Sequence, residues 1–238
     1  MAMGYFKKQN LAINLFFLSI LFLVNCNDFK TEKRSINEQY NKPMDNKIQL
    51  PRFDINKYEA NLKKNPDYEG YQKDQDTYVK QYHSVKEGYI EENYEKSIVE
   101  NYVEQYISNN RFETFQTYNK DGLLQSVTHY FADDVEIGQW YYYKDEKLVK
   151  TEDKDKNYPF SLDKVLEYGK KNNVDFTKSG KLSRFYSKTY GSYIYELQWN
   201  TGKKSADIEK SLFRKVVLDG SNGKELKSEE YYINPLAR

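Results

Sequence analysis

Residues 112–131 read Phe-Glu-Thr-Phe-Gln-Thr-Tyr-Asn-Lys-Asp-Gly-Leu-Leu-Gln-Ser-Val-Thr-His-Tyr-Phe, and this stretch decides the fold. Phe112–Tyr118 is rich in aromatic and β-branched residues and reads as a strand. Asn119-Lys120-Asp121-Gly122 is a turn, and Leu123–Phe131 is the return strand. Asp-Gly between two such runs signals a hairpin, because Gly supplies the positive φ that the turn needs. Ala132-Asp133-Asp134 links to a further strand over Val135–Tyr143. Lys144-Asp145-Glu146 turns the chain again, and Lys147–Thr151 returns. The segment Tyr118–Ser126 aligns with Tyr143–Thr151 at an offset of 25 residues. Hairpins repeated at this period build an open ribbon or meander, each burying a face on the next. The second unit has Lys147 where the first has Gly122, so its turn geometry is expected to differ.

Upstream, Asp76–Asn110 carries Tyr, Val and Ile spaced among charges. Ile98, Val99, Tyr102, Val103, Tyr106 and Ile107 also fit helical spacing. Their β-forming character favours strand. Residues 51–75 are ambiguous, with Pro51 and Pro66 as breakers.

Downstream, Lys154–Asn157 reads as a charged linker. Ser161 can cap a helix whose stripe is Leu162, Val165 and Leu166, with Asp163 in its first turn and Gly169 to end it. Strands are expected over Lys181–Tyr190, Leu212–Asp219 and Lys224–Ile233, with a loop over Gly202–Lys210. Tyr193, Tyr195, Leu197 and Trp199 alternate with Ile194, Glu196, Gln198 and Asn200, giving the clearest strand of the chain. The expected fold class is mostly β, or α+β: an antiparallel β-hairpin array over 51–153, then a small helix-plus-antiparallel-sheet domain over 154–238.

Composition limits the function. The 238 residues hold 37 basic and 36 acidic side chains, one Cys and two His. Balanced charge argues against a nucleic-acid partner. A single Cys excludes an internal disulfide and a multi-Cys zinc site. Leu, Ile, Val and Phe are thin, while Tyr numbers 24. Tyr therefore supplies much of the expected core.

The amino terminus differs from the rest. Lys7 and Lys8 precede an apolar run, Leu11–Val24, of about 14 residues, where a span of the hydrocarbon core needs about 20. That length fits the apolar part of a secretory signal. Leu23-Val24-Asn25-Cys26 resembles the bacterial lipobox, with Asn25 where that motif has Gly, Ala or Ser. The resemblance implies a signal peptide over 1–25, lipidation of Cys26 and a membrane anchor of acyl chains worth about 0.8 kcal/mol per buried CH₂. Residues 26–50 then read as a polar tether. Loss of Lys7 and Lys8 turns the net charge from +1 to −1.

Two further resemblances concern the folded part. Tyr118, Gly122 and Leu124, followed by Gly138, Trp140, Tyr143 and Leu148, resemble MORN-type repeats from about residue 112. Phe213–Asp219 with Gly223 and Leu226 resembles the PepSY-type strand–turn–strand signature, over about 160–233. The first resemblance implies a β-hairpin array used for contact with proteins or membranes, the second a periplasmic or surface module that binds or restrains a partner, sometimes a peptidase; neither implies catalysis.

No catalytic set emerges. His83 and His129 lie 46 residues apart with no partnering motif. Asp219-Gly-Ser-Asn-Gly223 lacks the carboxylates of a calcium loop. Glu91-Glu92, Asp133-Asp134 and Glu229-Glu230 are sequence neighbours, which a strand sends to opposite faces. Neither a cofactor nor a metal is expected. Tyr141-Tyr142-Tyr143 and Tyr193, Tyr195 and Trp199 read either as a platform for glycan or peptide or as core. The sequence thus points to a non-enzymatic binding or scaffolding lipoprotein of the bacterial envelope, on the outer membrane, with a protein or glycan partner. The runner-up is an immunity or peptidase-regulating lipoprotein, and an envelope hydrolase comes third.

Overall fold

The computed structural model describes residues 49–89, 94–132, 134–204 and 210–233. In chain order these form α1 (Ile55–Lys64), β1 (Gly70–Gln72), β2 (Thr77–Val85), β3 (Val99–Ser108), β4 (Phe112–Asn119), β5 (Leu124–Phe131), β6 (Val135–Lys144), β7 (Lys147–Asp153), α2 (Leu162–Lys171), β8 (Lys181–Ser187), β9 (Ser192–Lys204), β10 (Ser211–Asp219) and β11 (Glu225–Ile233). Strands β1 to β7 make one antiparallel meander, each paired with its sequence neighbour. A second antiparallel sheet has the order β11-β10-β9-β8. This is the mostly β fold expected, a hairpin array followed by a helix and a small sheet. The stretches expected as signal peptide and tether, up to residue 48 and with Cys26 between them, lie outside the described residues, as do Glu91, Glu92 and Asp133.

The ambiguous segment 51–75 resolves into α1 and β1. Asp54 caps α1 by accepting a hydrogen bond from the Lys57 amide at 2.9 Å. Tyr58 is buried, with Ile55 and Leu62 packed beside it on the same stripe. Asn65 is extended, as a residue before proline prefers, and the helix stops there. Residues 98–107 are strand and not helix. Val99 and Tyr102 are buried towards α1, while Val103 pairs with Tyr82 on the other face. Apolar groups on both faces of one strand imitate helical spacing.

The two hairpin turns differ in kind. In the first, the Gly122 amide donates to the Asn119 carbonyl at 2.9 Å and Gly122 sits at φ 76°. The Asn119 side chain accepts from the amides of Asp121 and Leu123. In the second, Asp145 and Glu146 themselves hold φ of 49° and 58°, a two-residue turn of the mirror-image class.

Helix α2 departs from expectation at both ends. Ser161 stands at its cap position without a side-chain hydrogen bond. Gly169 does not end the helix; a Cβ there would lie 2.5 Å from the Phe176 ring, so this glycine permits close packing. Asn173, at φ 61°, supplies the left-handed residue instead. Its amide donates to the Lys170 carbonyl, and the Val174 amide to the Gly169 carbonyl, completing the usual two-bond helix stop. Strand β9 also runs to Lys204, into the stretch expected as loop.

Strand register assigns the meander's side chains to two faces. One face carries two apolar cores. Phe53, Tyr102, Tyr118, Leu124 and Tyr141 pack with α1. Phe112, Phe131, Val135 and Ile137 pack with Leu162 and Val165 of α2 and with Leu197, Val216 and Leu218 of the second sheet. A polar belt separates the cores, with Gln81, Glu104 and Gln116 in one cross-strand row and Tyr106, Thr114 and His129 in the next. Glu104 accepts hydrogen bonds from Gln81 at 2.8 Å and from Tyr106 and Tyr118 at 2.9 Å. Tyr102, Tyr118 and Tyr195 are fully buried. Each such ring removes roughly 150–250 Å² from water, which offsets the thin aliphatic content.

Candidate functional site

The two histidines do not share a site. His83 on β2 lies 2.8 Å from the Tyr58 hydroxyl and is ringed by Tyr58, Tyr94 and Tyr102. His129 on β5 lies 2.9 Å from the Thr114 hydroxyl, and burial pushes its pKa down to about 4. His129 shares a cross-strand row with Val79, and His83 lies four residues further along β2. Three strand spacings and four residues of rise put the imidazoles roughly 20 Å apart. Among the described residues, no three His, Cys, Asp or Glu side chains gather where they could hold a metal ion.

The aromatic clusters split between the two readings. Tyr141 and Tyr143 are core, and Tyr142 points to the other face beneath Lys150. Tyr195 and Trp199 are core, whereas Tyr193 is 37% exposed. Asp219 serves its own turn: it accepts from the amides of Ser221 and Asn222 and from the Ser221 hydroxyl. The Ser221 bonds hold its carboxyl below the usual range. Glu229 pairs with Lys227, and Glu230 stands opposite Arg214 across the strand pair.

A different set of residues converges at the junction of the two sheets. The foundation is a bulge in β6. Gly138, at φ 63°, lies where the β5–β6 register shifts, and its amide donates to Asp155 at 3.0 Å. The other Asp155 oxygen receives Arg184 of β8 at 2.7 Å. Arg184 also donates to the backbone carbonyls of Lys154 and Glu136. Its guanidinium carbon lies 4.4 Å from the centre of the Tyr158 ring. The Arg184 side chain is only 4% exposed, so its position is fixed from every side.

Around this floor opens a cleft of about 570 Å³, within the roughly 300–1,000 Å³ usual for ligand sites. One wall is Lys154, held between Glu136 at 3.0 Å and Glu152 at 3.1 Å and poised 3.8 Å over the Trp140 ring. Hydrogen bonds from Lys150 and Lys154 hold the Glu152 carboxyl down to about 2. The opposite wall is aromatic. Tyr193 meets Tyr158 edge-on at 5.5 Å, and Tyr186 meets Tyr193 edge-on at 5.3 Å. Tyr186 is 53% exposed, and Phe185 and Tyr190 of the same β8–β9 hairpin are also exposed.

No family model, curated protein or solved structure matches this chain. The reading of the site therefore rests on its own chemistry. Sequence reasoning singled out Tyr193 and Asp134 of the cleft but passed over Lys154, Asp155, Tyr158 and Arg184. The run Lys154–Asn157 was the available signal, read as a charged linker. Its alternating charges in fact anchor two strands of one sheet and one of the other.

Proposed function

We propose that this chain is a lipid-anchored protein of the bacterial envelope whose folded part binds a partner without catalysing a reaction. The observation that carries the binding reading is the junction cleft, with a rigid charged floor beside Tyr193 and its cross-strand partner Tyr186, which share the Arg184 face of the β8–β9 hairpin and present ring surface to solvent. Exposed aromatic rings next to ordered polar groups are the usual composition of a recognition surface. The anchor rests on Cys26 after the apolar run Leu11–Val24.

Photo-cross-linking in intact cells tests the reading. A photoreactive residue at Tyr186, on the hairpin, is compared with one at Tyr232, exposed on β11 away from the cleft. The reading requires a discrete adduct from position 186 that is absent from 232. Identical patterns from both positions, or no adduct from either, count against it.

A further inference from the structure

The cleft's charges decide what kind of ligand it takes. Its lining offers the cations Lys154, Lys156 and Arg184 against the carboxylates Asp134, Glu136, Glu152 and Asp153. Arg184 is neutralised by Asp155, and Lys154 sits between Glu136 and Glu152. A site for phosphate or another anion concentrates unpaired positive charge. A site for a cation concentrates unpaired oxygen ligands. Here carboxylates outnumber cations in the lining, and among the described residues no three gather where they could hold a metal ion, so the cleft fits neither.

What remains is a dense set of donors and acceptors that are already oriented by one another, beside flat aromatic rings. Paired Lys and carboxylate groups, with Asn157 and Thr151 at the rim, offer both hydrogen-bonding senses to an uncharged molecule. Vicinal hydroxyls of a sugar present one donor and one acceptor each to such pairs. The C–H faces of the same sugar ring are apolar and stack on aromatic side chains. Tyr193 lines the cleft, and its cross-strand partner Tyr186 continues the same face beyond it, both with ring surface open to solvent. Because Arg184 and Tyr158 are locked before any ligand arrives, binding orders little of the protein.

We infer that the junction cleft is a binding site for a neutral oligosaccharide, with Tyr193 and Tyr186 as stacking rings and the Lys154–Glu136–Glu152 group as hydrogen-bonding wall. This inference rests on the binding function proposed above and names its ligand class.

Calorimetry on the full-length chain in a detergent without sugar headgroups tests it. The probes are neutral hexasaccharides of glucose, mannose and N-acetylglucosamine, with hexagalacturonate as the anionic control. At least one neutral probe binds, hexagalacturonate does not, and Tyr193→Ala weakens binding about tenfold. Tyr186→Ala, at a position too exposed to affect folding, also weakens it, and Tyr232→Ala leaves it unchanged. Silence from all neutral probes overturns the inference, as does binding that survives both cleft variants or favours the anion. If the probes are silent while position 186 still cross-links a protein that carries no glycan, only the ligand class is wrong. If both measurements are blank, the binding function falls as well.

Discussion

Asp155 and Arg184 form an ion pair of 2.7 Å that ties the end of the meander to the first strand of the second sheet. Asp155 stands just past β7, and Arg184 stands on β8 across from Tyr195. The pair is buried on the arginine side, and each partner makes further hydrogen bonds to backbone. Removing one member strands the other. Arg184→Met is expected to cost about 3–5 kcal/mol in urea unfolding, and the double variant with Asp155→Asn less than the sum of the two singles. A loss below about 1 kcal/mol for Arg184→Met contradicts a tying role, since that is the range of an exposed pair.

The polar belt gives a pH dependence. His129 has a folded pKa of about 4, below its ordinary value of 6.5, because burial disfavours the charged ring. Below pH 6.5 the unfolded chain binds a proton that the folded chain refuses. Stability contributed by His129 is therefore full above pH 6.5 and declines as pH falls towards 4. Relative to His129→Gln, the wild-type chain is expected to lose about 2 kcal/mol between pH 6.5 and 5 in urea unfolding. Parallel pH curves for the two proteins contradict this placement.

Two tyrosines in the same core separate the value of a hydroxyl from the value of a ring. The Tyr118 hydroxyl has two acceptors for its one proton, Glu104 at 2.9 Å and Gln116 at 2.6 Å. The Tyr141 hydroxyl is buried without a hydrogen-bond partner among the described residues. Tyr118→Phe is expected to destabilise by about 1–3 kcal/mol, because acceptors are left unsatisfied. Tyr141→Phe is expected to be neutral or to stabilise by about 1 kcal/mol, since it removes an unpaid desolvation. Thermal unfolding of both variants reads the difference, and equal losses contradict it.

The second hairpin turn carries strain that can be relieved. Asp145 and Glu146 hold left-handed backbone without glycine. Asn-Gly is the pair this turn prefers. Asp145→Asn with Glu146→Gly is expected to stabilise by about 1 kcal/mol, less the small exposed pair between Glu146 and Arg52. A lower unfolding midpoint for the double variant contradicts the assignment of this turn.

How far the sequence revealed the molecule depends on the range of the interactions involved. Hairpins were legible because their signals are local: Asp121-Gly122 marks a turn, and Tyr195, Leu197 and Trp199 alternate along one strand. Helix α1 was not legible, because three apolar residues among lysines leave a weak stripe between two prolines. Its cap, Asp54, was the missed clue. The stop of α2 was misplaced because Gly169 is a packing residue, and Asn173 takes the left-handed role usually given to glycine. The cleft was least legible. Its floor joins Gly138, Asp155 and Arg184, residues from three segments that the fold alone brings together. In the sequence each looks like an ordinary turn glycine, linker acid or surface arginine.

The central claim is that this recognition surface is held at a membrane through Cys26. Metabolic labelling with a radioactive fatty acid, followed by membrane fractionation, tests it most directly. The account predicts a labelled wild-type chain in the membrane fraction and complete loss of label in Cys26→Ala. A wild-type chain that takes up no label, or a Cys26→Ala chain that is labelled as strongly, contradicts it.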